Sequence, residues 1–349
     1  MNKMHFSTFA AVALVVLAGW NTQPLEATEF QVGIGTSFSE DAAKGIAEAF
    51  DEAFGKFGET GKAKLVLVME TYTSARNARD ARSMIFEKAK GLPVYGACMG
   101  KAGYAPLAPD KGFLKKRGIC VMVLGGDFEF QAEMVQMGKV RYFNNRDRKT
   151  NPEKFQKDYQ TFIDNRQKPG AELGKKFKFS PDRNLLTILG QLHNPEITFF
   201  AKGLKESIPE DVTVIGGATQ GGCIYFKDKT FASSALGLRI SGKFQMVQDM
   251  RGSFWNGKDL PKHLTGILET TAVKGVPKPD LIIGFLCASW QRGPMDEQHK
   301  ALVAVLGKDV PLFGCYSGGE MGKHAGRDKT KTLTGGGGFG VVVAIKGGK

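Results

Sequence analysis

VPLFGCYSGGEMG, the stretch Val310–Gly322, joins a short apolar strand to a run of glycines. Leu312 and Phe313 predict a buried strand. Glycine at a strand end permits a positive φ and a close approach by a ligand or a second chain segment. Glu320 is a lone carboxylate in this run, on a backbone with little side-chain cover. The stretch therefore predicts a strand end that can bind a small molecule.

Two other stretches have the same pattern, Val94–Gly100 (VYGACMG) and Val212–Gly222 (VTVIGGATQGG). Each of the three is preceded by an apolar strand and a helix-like segment and is followed by a second apolar strand. The preceding strands are Leu65–Met69, Leu185–Leu189 and Leu281–Leu286; the helices are Arg76–Lys90, Pro195–Ser207 and Met295–Leu306; the following strands are Ile119–Leu124, Ala235–Ile240 and Gly340–Ile345.

This pattern predicts an α/β protein of three β-α-β-glycine turn-β units, whose mixed sheets are covered by helices. The turns lie too far apart for a solenoid repeat of about 20–50 residues, which favours duplication of a larger unit. The alternative is the ordinary strand–helix alternation of any α/β protein. A chain of 349 residues is long enough for about two domains. We expect them to divide near Gln245–Lys278, which is rich in glycine and proline.

The chain carries a net charge of +13. Residues 138–183 hold thirteen Lys and Arg against six Asp and Glu, a net +7, and fit no unit of the repeat. We interpret this segment as a basic insertion with a solvated helix whose apolar face is Phe155, Tyr159 and Phe162, ended by Pro169-Gly170. A docking patch for an anionic partner is the functional alternative. Binding of nucleic acid is disfavoured, because the motifs of known binding modules are absent.

Residues 1–27 have the composition of an export signal. Lys3 gives a positive start, Phe9–Leu17 is an apolar run too short to span a bilayer, and Leu25-Glu26-Ala27 is a cleavage site. The sequence predicts a periplasmic or extracellular protein with no membrane span after cleavage; an uncleaved anchor is the alternative.

No cofactor or metal is predicted. The five cysteines lack zinc-site spacing, and we favour small buried residues for them. Gly33 and Gly35 follow a strand and precede a helix, but the third glycine of a dinucleotide fingerprint is missing.

The third unit resembles the C-terminal part of the FIST family. The residues that carry the resemblance are Cys287, Arg292-Gly293, Asp296-Glu297 and Val310–Glu320, the last with the spacing Val-Pro-x-x-Gly-x-Tyr-x-x-Gly-Glu. Gly216–Ala218 and Pro93–Gly100 are similar to segments of the family's N-terminal domain. The resemblance implies an N-like domain at 28–245 and a C-like domain at 246–349. It also implies a sensory, non-enzymatic module for signal transduction that binds amino acids or small organic acids and acts on a signalling protein partner.

On this hypothesis the backbone amides of the glycine turns bind ligand oxygens, with Arg292 and Glu320 as charged partners. The candidate ligand-binding residues are Gly96, Cys98, Gly100, Gly216, Gly217, Thr219, Gly221, Cys287, Arg292, Gly314, Tyr316, Ser317, Gly319 and Glu320. A capping role for Glu320 and a surface ion pair for Arg292 are the structural alternatives. The alternative function is a hydrolase or transferase with Cys98, Cys287 or Cys315 as thiol nucleophile and His324 or His299 as base.

Overall fold

The protein is described from a computed structural model, which covers residues 30–58, 62–72, 78–100, 104–138, 143–219, 222–252, 257–323 and 332–348. The export signal and its cleavage site, together with Gln220, Gly221 and His324, lie outside the described residues. The α/β class is confirmed: strands and helices alternate through three consecutive units that share one order of elements.

Each unit runs strand, helix, strand, helix, glycine-turn strand, hairpin and return strand. The first unit comprises β1 (Phe30–Ser37), α1 (Ala42–Phe57), β2 (Ala63–Glu70), α2 (Ala78–Lys88), β3 (Val94–Cys98), β4 (Leu107–Ala108), β5 (Gly112–Phe113) and β6 (Ile119–Gly126). The second comprises β7 (Glu129–Gln136), α3 (Asp147–Thr150), α4 (Pro152–Lys175), β8 (Arg183–Gly190), α5 (Glu196–Lys205), β9 (Thr213–Ala218), β10 (Ile224–Lys227), β11 (Lys229–Phe231) and β12 (Ser234–Gly242).

The third unit has the same plan with a shorter first helix. It comprises β13 (Phe244–Gly252), a 3₁₀ turn (Gly257–Asp259), α6 (Leu260–Leu268) with a π-helical end (Glu269–Gly275), β14 (Leu281–Cys287), a 3₁₀ turn (Ala288–Arg292), α7 (Met295–Leu306), β15 (Leu312–Ser317), β16 (Glu320–Lys323), β17 (Leu333–Gly336) and β18 (Phe339–Gly347). The segment expected to separate two domains therefore contains β13 and α6. The two-domain division itself stays a prediction.

Three sheets form the frame, in the strand orders β1-β6-β2-β3-β10-β11, β7-β12-β8-β9-β16-β17 and β13-β18-β14-β15. Within each, the two strands that flank the helix before the glycine turn are parallel and the others antiparallel. Each of the two larger sheets ends in the hairpin of the next unit: β10 pairs with β3, and β16 pairs with β9. The β-sheets therefore interlock the units.

One face of every sheet is packed into a common central core, because alternate residues of a strand point to opposite faces. Met122, Leu238 and Phe285, one from each sheet, are buried in that core. The outer faces are covered separately, by α1 and α2 on the first sheet, α4 and α5 on the second, and α6 and α7 on the third.

Gly33 and Gly35 have a packing role. A Cβ on either would lie within about 2 Å of the carbonyl oxygens of Ala53 and Ala49. The two glycines thus let α1 lie directly on β1, and no space for a phosphate is left over them.

The predicted end of the basic helix was wrong. α4 continues through Pro169 and Gly170 to Lys175, with both residues buried against α5. Gly170 and Gly203 allow the two helices to touch, since a Cβ on either would overlap a carbonyl oxygen of the other helix. Arg166 is buried and donates to Glu196 at 2.9 Å. The segment 138–183 thus supplies the helix that stands where α1 and α6 stand in the other units.

Candidate functional site

The three glycine turns are linked to one another through three junctions between units. At the first junction β3 pairs with β10, so that Cys98 N donates to Cys223 O at 2.8 Å. At the second junction β9 pairs with β16, and Ala218 N donates to Gly319 O at 2.8 Å.

The third junction closes the ring. Pro106 forms a bridge with Cys315, and Tyr316 N donates to Ala105 O at 3.0 Å. Each turn is therefore bound by the segment that follows the turn of the next unit, and three segments that are distant in the sequence lie at one end of the sheets.

Amides of all three turns donate inside the protein, and among them is that of the predicted residue Thr219. Met99 N donates to Glu70 O at 2.7 Å, Thr219 N to Gly190 O at 2.7 Å and Gly318 N to Ala218 O at 2.9 Å. A backbone amide carries one proton, so these groups are occupied. At these three positions a ligand would have to be bound by side chains rather than by the amide.

The first glycine of each turn serves strand packing. A Cβ would lie 1.9 Å from Val68 O at Gly96, 2.8 Å from Ile188 O at Gly216 and 2.3 Å from Gly284 O at Gly314. At Gly217 a Cβ would lie 2.4 Å from the ring of Phe285. These glycines let neighbouring strands and sheets approach each other.

Glu320 lies at the second junction and is fully buried. Its Oε1 accepts a hydrogen bond from Ser317 Oγ at 2.7 Å and its Oε2 accepts one from Phe339 N at 3.1 Å. Burial raises the pKa of this carboxyl well above its ordinary value, although both bonds oppose the rise. A neutral carboxylic acid is therefore the form that the site favours.

Cys287 is packed beside Glu320 at the end of β14. Ser289 Oγ donates to Cys287 Sγ at 3.1 Å. Burial raises the pKa of the Cys287 thiol. The thiol is thus held protonated.

Tyr104 and His193 flank Gly318 at the same junction. A Cβ on Gly318 would lie 3.1 Å from His193 Cδ2 and 3.2 Å from the Tyr104 hydroxyl. Tyr104 is buried and His193 exposed. Thr219, on the adjoining turn, has a buried hydroxyl with no hydrogen-bond partner among the described residues. Sequence patterns did not single out Tyr104 or His193 for this site, because each belongs to a different unit from Gly318.

Other predicted site residues lie elsewhere. Arg292 is exposed, and the described contacts do not join it to Glu320. Tyr316 faces the helical layer, with its ring 6.1 Å from that of Phe113. Gly100 has a φ of 101° at the end of the first turn. Gly221 lies outside the described residues.

The predicted thiol nucleophiles are all buried. Cys98 lies opposite Cys223, and Cys315 Sγ is 3.3 Å from Met69 Sδ. Burial raises the pKa of Cys315 well above its ordinary value and that of Cys120 to about 11. His299 binds Pro109 O at 2.7 Å, in contact with the Phe113 ring.

Within the described ranges, no group of His, Cys, Asp and Glu side chains is arranged to hold a metal ion. The same part of the chain contains no helix that is both long and apolar enough to cross a membrane.

Comparison with known proteins does not identify a family for this chain. No protein-family model matches the chain, and no curated protein matches it in sequence. One similar solved structure is that of cyanuric acid hydrolase from A. caulinodans, at 8% identity and a TM-score of 0.41, covering 91% of this chain and 100% of that one. This similarity is too low to transfer an activity.

Proposed function

We propose that the chain is a non-enzymatic sensor that binds a small organic acid or amino acid at the second junction, beside Thr219, Gly318 and Glu320. The observation that carries the proposal is the Thr219 hydroxyl, which is buried without a hydrogen-bond partner among the described residues. Buried polar groups in folded proteins are nearly always satisfied, so a bound ligand is a physical reason for the exception.

The side chains beside Gly318 suit a carboxylic acid. The Tyr104 hydroxyl and the His193 imidazole are both polar groups, and His193 is on the exposed side. Burial raises the pKa of Glu320 and so favours its neutral form, which would not repel an anion. These groups replace the turn amides and Arg292 of the sequence-based hypothesis.

The ring of junctions supports a sensory role. Tyr104 belongs to the first unit, Thr219 to the second and Gly318 to the third. A ligand that binds these three residues stabilises the contact between all three units. Occupancy can therefore be transmitted to a partner protein through the relative packing of the units.

The buried thiols favour a binding role over thiol catalysis. A nucleophilic cysteine needs a depressed pKa and access to its substrate, whereas the pKa values of Cys287 and Cys315 are raised by burial.

Calorimetry with a panel of amino acids and small carboxylic acids tests the proposal. We expect at least one compound to bind. Thr219→Val should raise the dissociation constant of that compound by about tenfold, because one hydrogen bond to the ligand is lost. Valine has the shape of threonine without the unpartnered hydroxyl, so this variant should remain folded.

Thr187→Val is the matched control. Thr187 is also buried with an unpartnered hydroxyl, but it lies within β8. Its substitution should leave the dissociation constant unchanged. The proposal fails if no compound in the panel binds, or if the two valine variants weaken binding equally.

A further inference from the structure

A cavity of about 490 Å³ lies between the first and third units, at the amino ends of β14 and β15 and away from the glycine turns. Apolar side chains from β1 and from the segment that enters β15 line its inner surface. They are Phe30, Val32, Ile34, Val310 and Leu312. The volume is that of a typical small-molecule site.

The other two junctions are filled at the equivalent place. The strand registers make Ile34, Ala132 and Gln248 equivalent in the three units. Gln248 closes the junction between the second and third units, since it donates to Val214 O and accepts from Lys323 N.

The junction between the first and second units is filled by aromatic rings. Tyr95 packs on Phe130, with 6.2 Å between ring centroids, and on Phe226, at 5.6 Å. At the junction between the third and first units, Ile34 and Leu312 are equivalent to Gln248 and Val214. The Ile34 side chain cannot form the hydrogen bonds that Gln248 forms. The cavity lies at this junction, where apolar side chains replace the hydrogen-bonding Gln248.

The rim of the cavity is acidic, although the chain as a whole carries +13. Four carboxylates and two lysines line it: Glu52, Asp110, Asp280 and Asp309, with Lys56 and Lys308. Glu52 is bound by Lys56 at 2.6 Å and by Lys111 at 2.7 Å. Asp110 and Asp309 are exposed and form no ion pair within the described part of the chain.

We propose that this cavity binds a small organic cation, an ammonium group on an aromatic or alkyl body. The apolar body lies against Phe30 and Val310, and the ammonium group is attracted by Asp110 and Asp309 at the rim. An anion of the same shape meets excess negative charge there, so the sign of the ligand's charge decides affinity. The site is separate from the second junction and does not depend on the function proposed there.

Calorimetry on the full chain with 2-phenylethylamine and with 3-phenylpropionate tests the charge selection. We expect the amine to bind at least about tenfold more tightly than the carboxylate. Asp309→Asn should raise the dissociation constant of the amine by about threefold to tenfold, because one attracting charge is removed while the fold is unchanged.

Val310→Trp tests the location, since the indole fills the cavity and should abolish binding of the amine. Val273→Trp is the control, because Val273 is an exposed apolar residue outside the cavity, and it should bind the amine like the wild type. Melting curves of both variants establish that they are folded. The proposal is overturned if neither probe binds, if the carboxylate binds as tightly as the amine, or if folded Val310→Trp and Asp309→Asn both bind the amine unchanged.

Discussion

The first and second junctions have the same strand pairing but differ in their side chains. In both, a hairpin strand of the next unit pairs with the glycine-turn strand, so that Tyr225 stands opposite Gly96 and Met321 opposite Gly216. Both regions also bury a glutamate, Glu70 near the first junction and Glu320 at the second.

The difference lies in the polar groups around each glutamate. Glu70 accepts from the Tyr225 hydroxyl at 2.9 Å and from Tyr72 N at 2.5 Å. Methionine at the position equivalent to Tyr225 cannot donate, and Glu320 is bound by Ser317, the Phe339 amide and Cys287. The same backbone arrangement can thus surround its buried glutamate with tyrosine and amide donors, as at the first junction, or leave a nearby hydroxyl unpartnered, that of Thr219, as at the second.

The largest effect is expected from Gly96→Ala, at the first junction. Gly96 has a φ of 144°, and its Cβ would lie 1.9 Å from a backbone oxygen that cannot move aside. We expect a loss of at least about 4 kcal/mol in the free energy of unfolding, measured by urea titration.

Gly217→Ala at the second junction is the comparison, because the three atoms nearest its new Cβ all belong to the ring of Phe285. It should cost about 1–3 kcal/mol. Equal losses at the two glycines would contradict the strand register given for the first junction.

A smaller effect is expected from removing single hydroxyls. Tyr225→Phe should lower the free energy of unfolding by about 1.5–3 kcal/mol, because a buried carboxylate loses its donor. Tyr316→Phe should raise it by about 1 kcal/mol or leave it unchanged, because the buried Tyr316 hydroxyl has no described partner. Urea titration of both variants gives the two values; a destabilised Tyr316→Phe would mean that this hydroxyl is bonded after all.

The smallest effect is a dependence of stability on pH at Glu320. Its pKa in the folded protein is raised above the ordinary 4.5. The stability contributed by its protonated form is therefore present below about pH 4.5 and is lost as the pH rises through the folded value. Glu320→Gln keeps a neutral side chain, so its melting temperature should rise relative to wild type between about pH 5 and pH 8.

Glu40→Gln, at an exposed glutamate, is the matched control and should show no such trend. A parallel pH dependence for Glu320→Gln and wild type would mean that Glu320 is ionised throughout.

Much of the fold could be predicted from local pattern. Met295–Leu306 was predicted as a helix and α7 has those bounds, and the strands expected around the three turns are present. The end of α4 was misread, because Pro169-Gly170 is a pair that usually ends a helix. Both residues are buried, Gly170 directly against α5, and that contact stabilises a helix which local propensity argues against.

The candidate site was predicted only in part. Glu320 could be found because a single carboxylate among glycines is locally distinctive. Tyr104 and His193 could not, since neither stands in a local pattern that points to Gly318.

The sequence by itself determined the three glycine turns, the strands and helices that flank them, and the lone carboxylate of the third turn. These depend on periodicity and on conformational freedom, both properties of neighbouring residues. Only the tertiary structure decided that the amides of Met99, Thr219 and Gly318 are occupied, that Glu320 is buried, that Thr219 is left without a described partner, and that one junction contains an acid-rimmed cavity. Those outcomes depend on which residues of a distant unit pack against each group. Hydrogen-bond partners and neighbouring charges at the junctions come from segments that are far apart in the sequence.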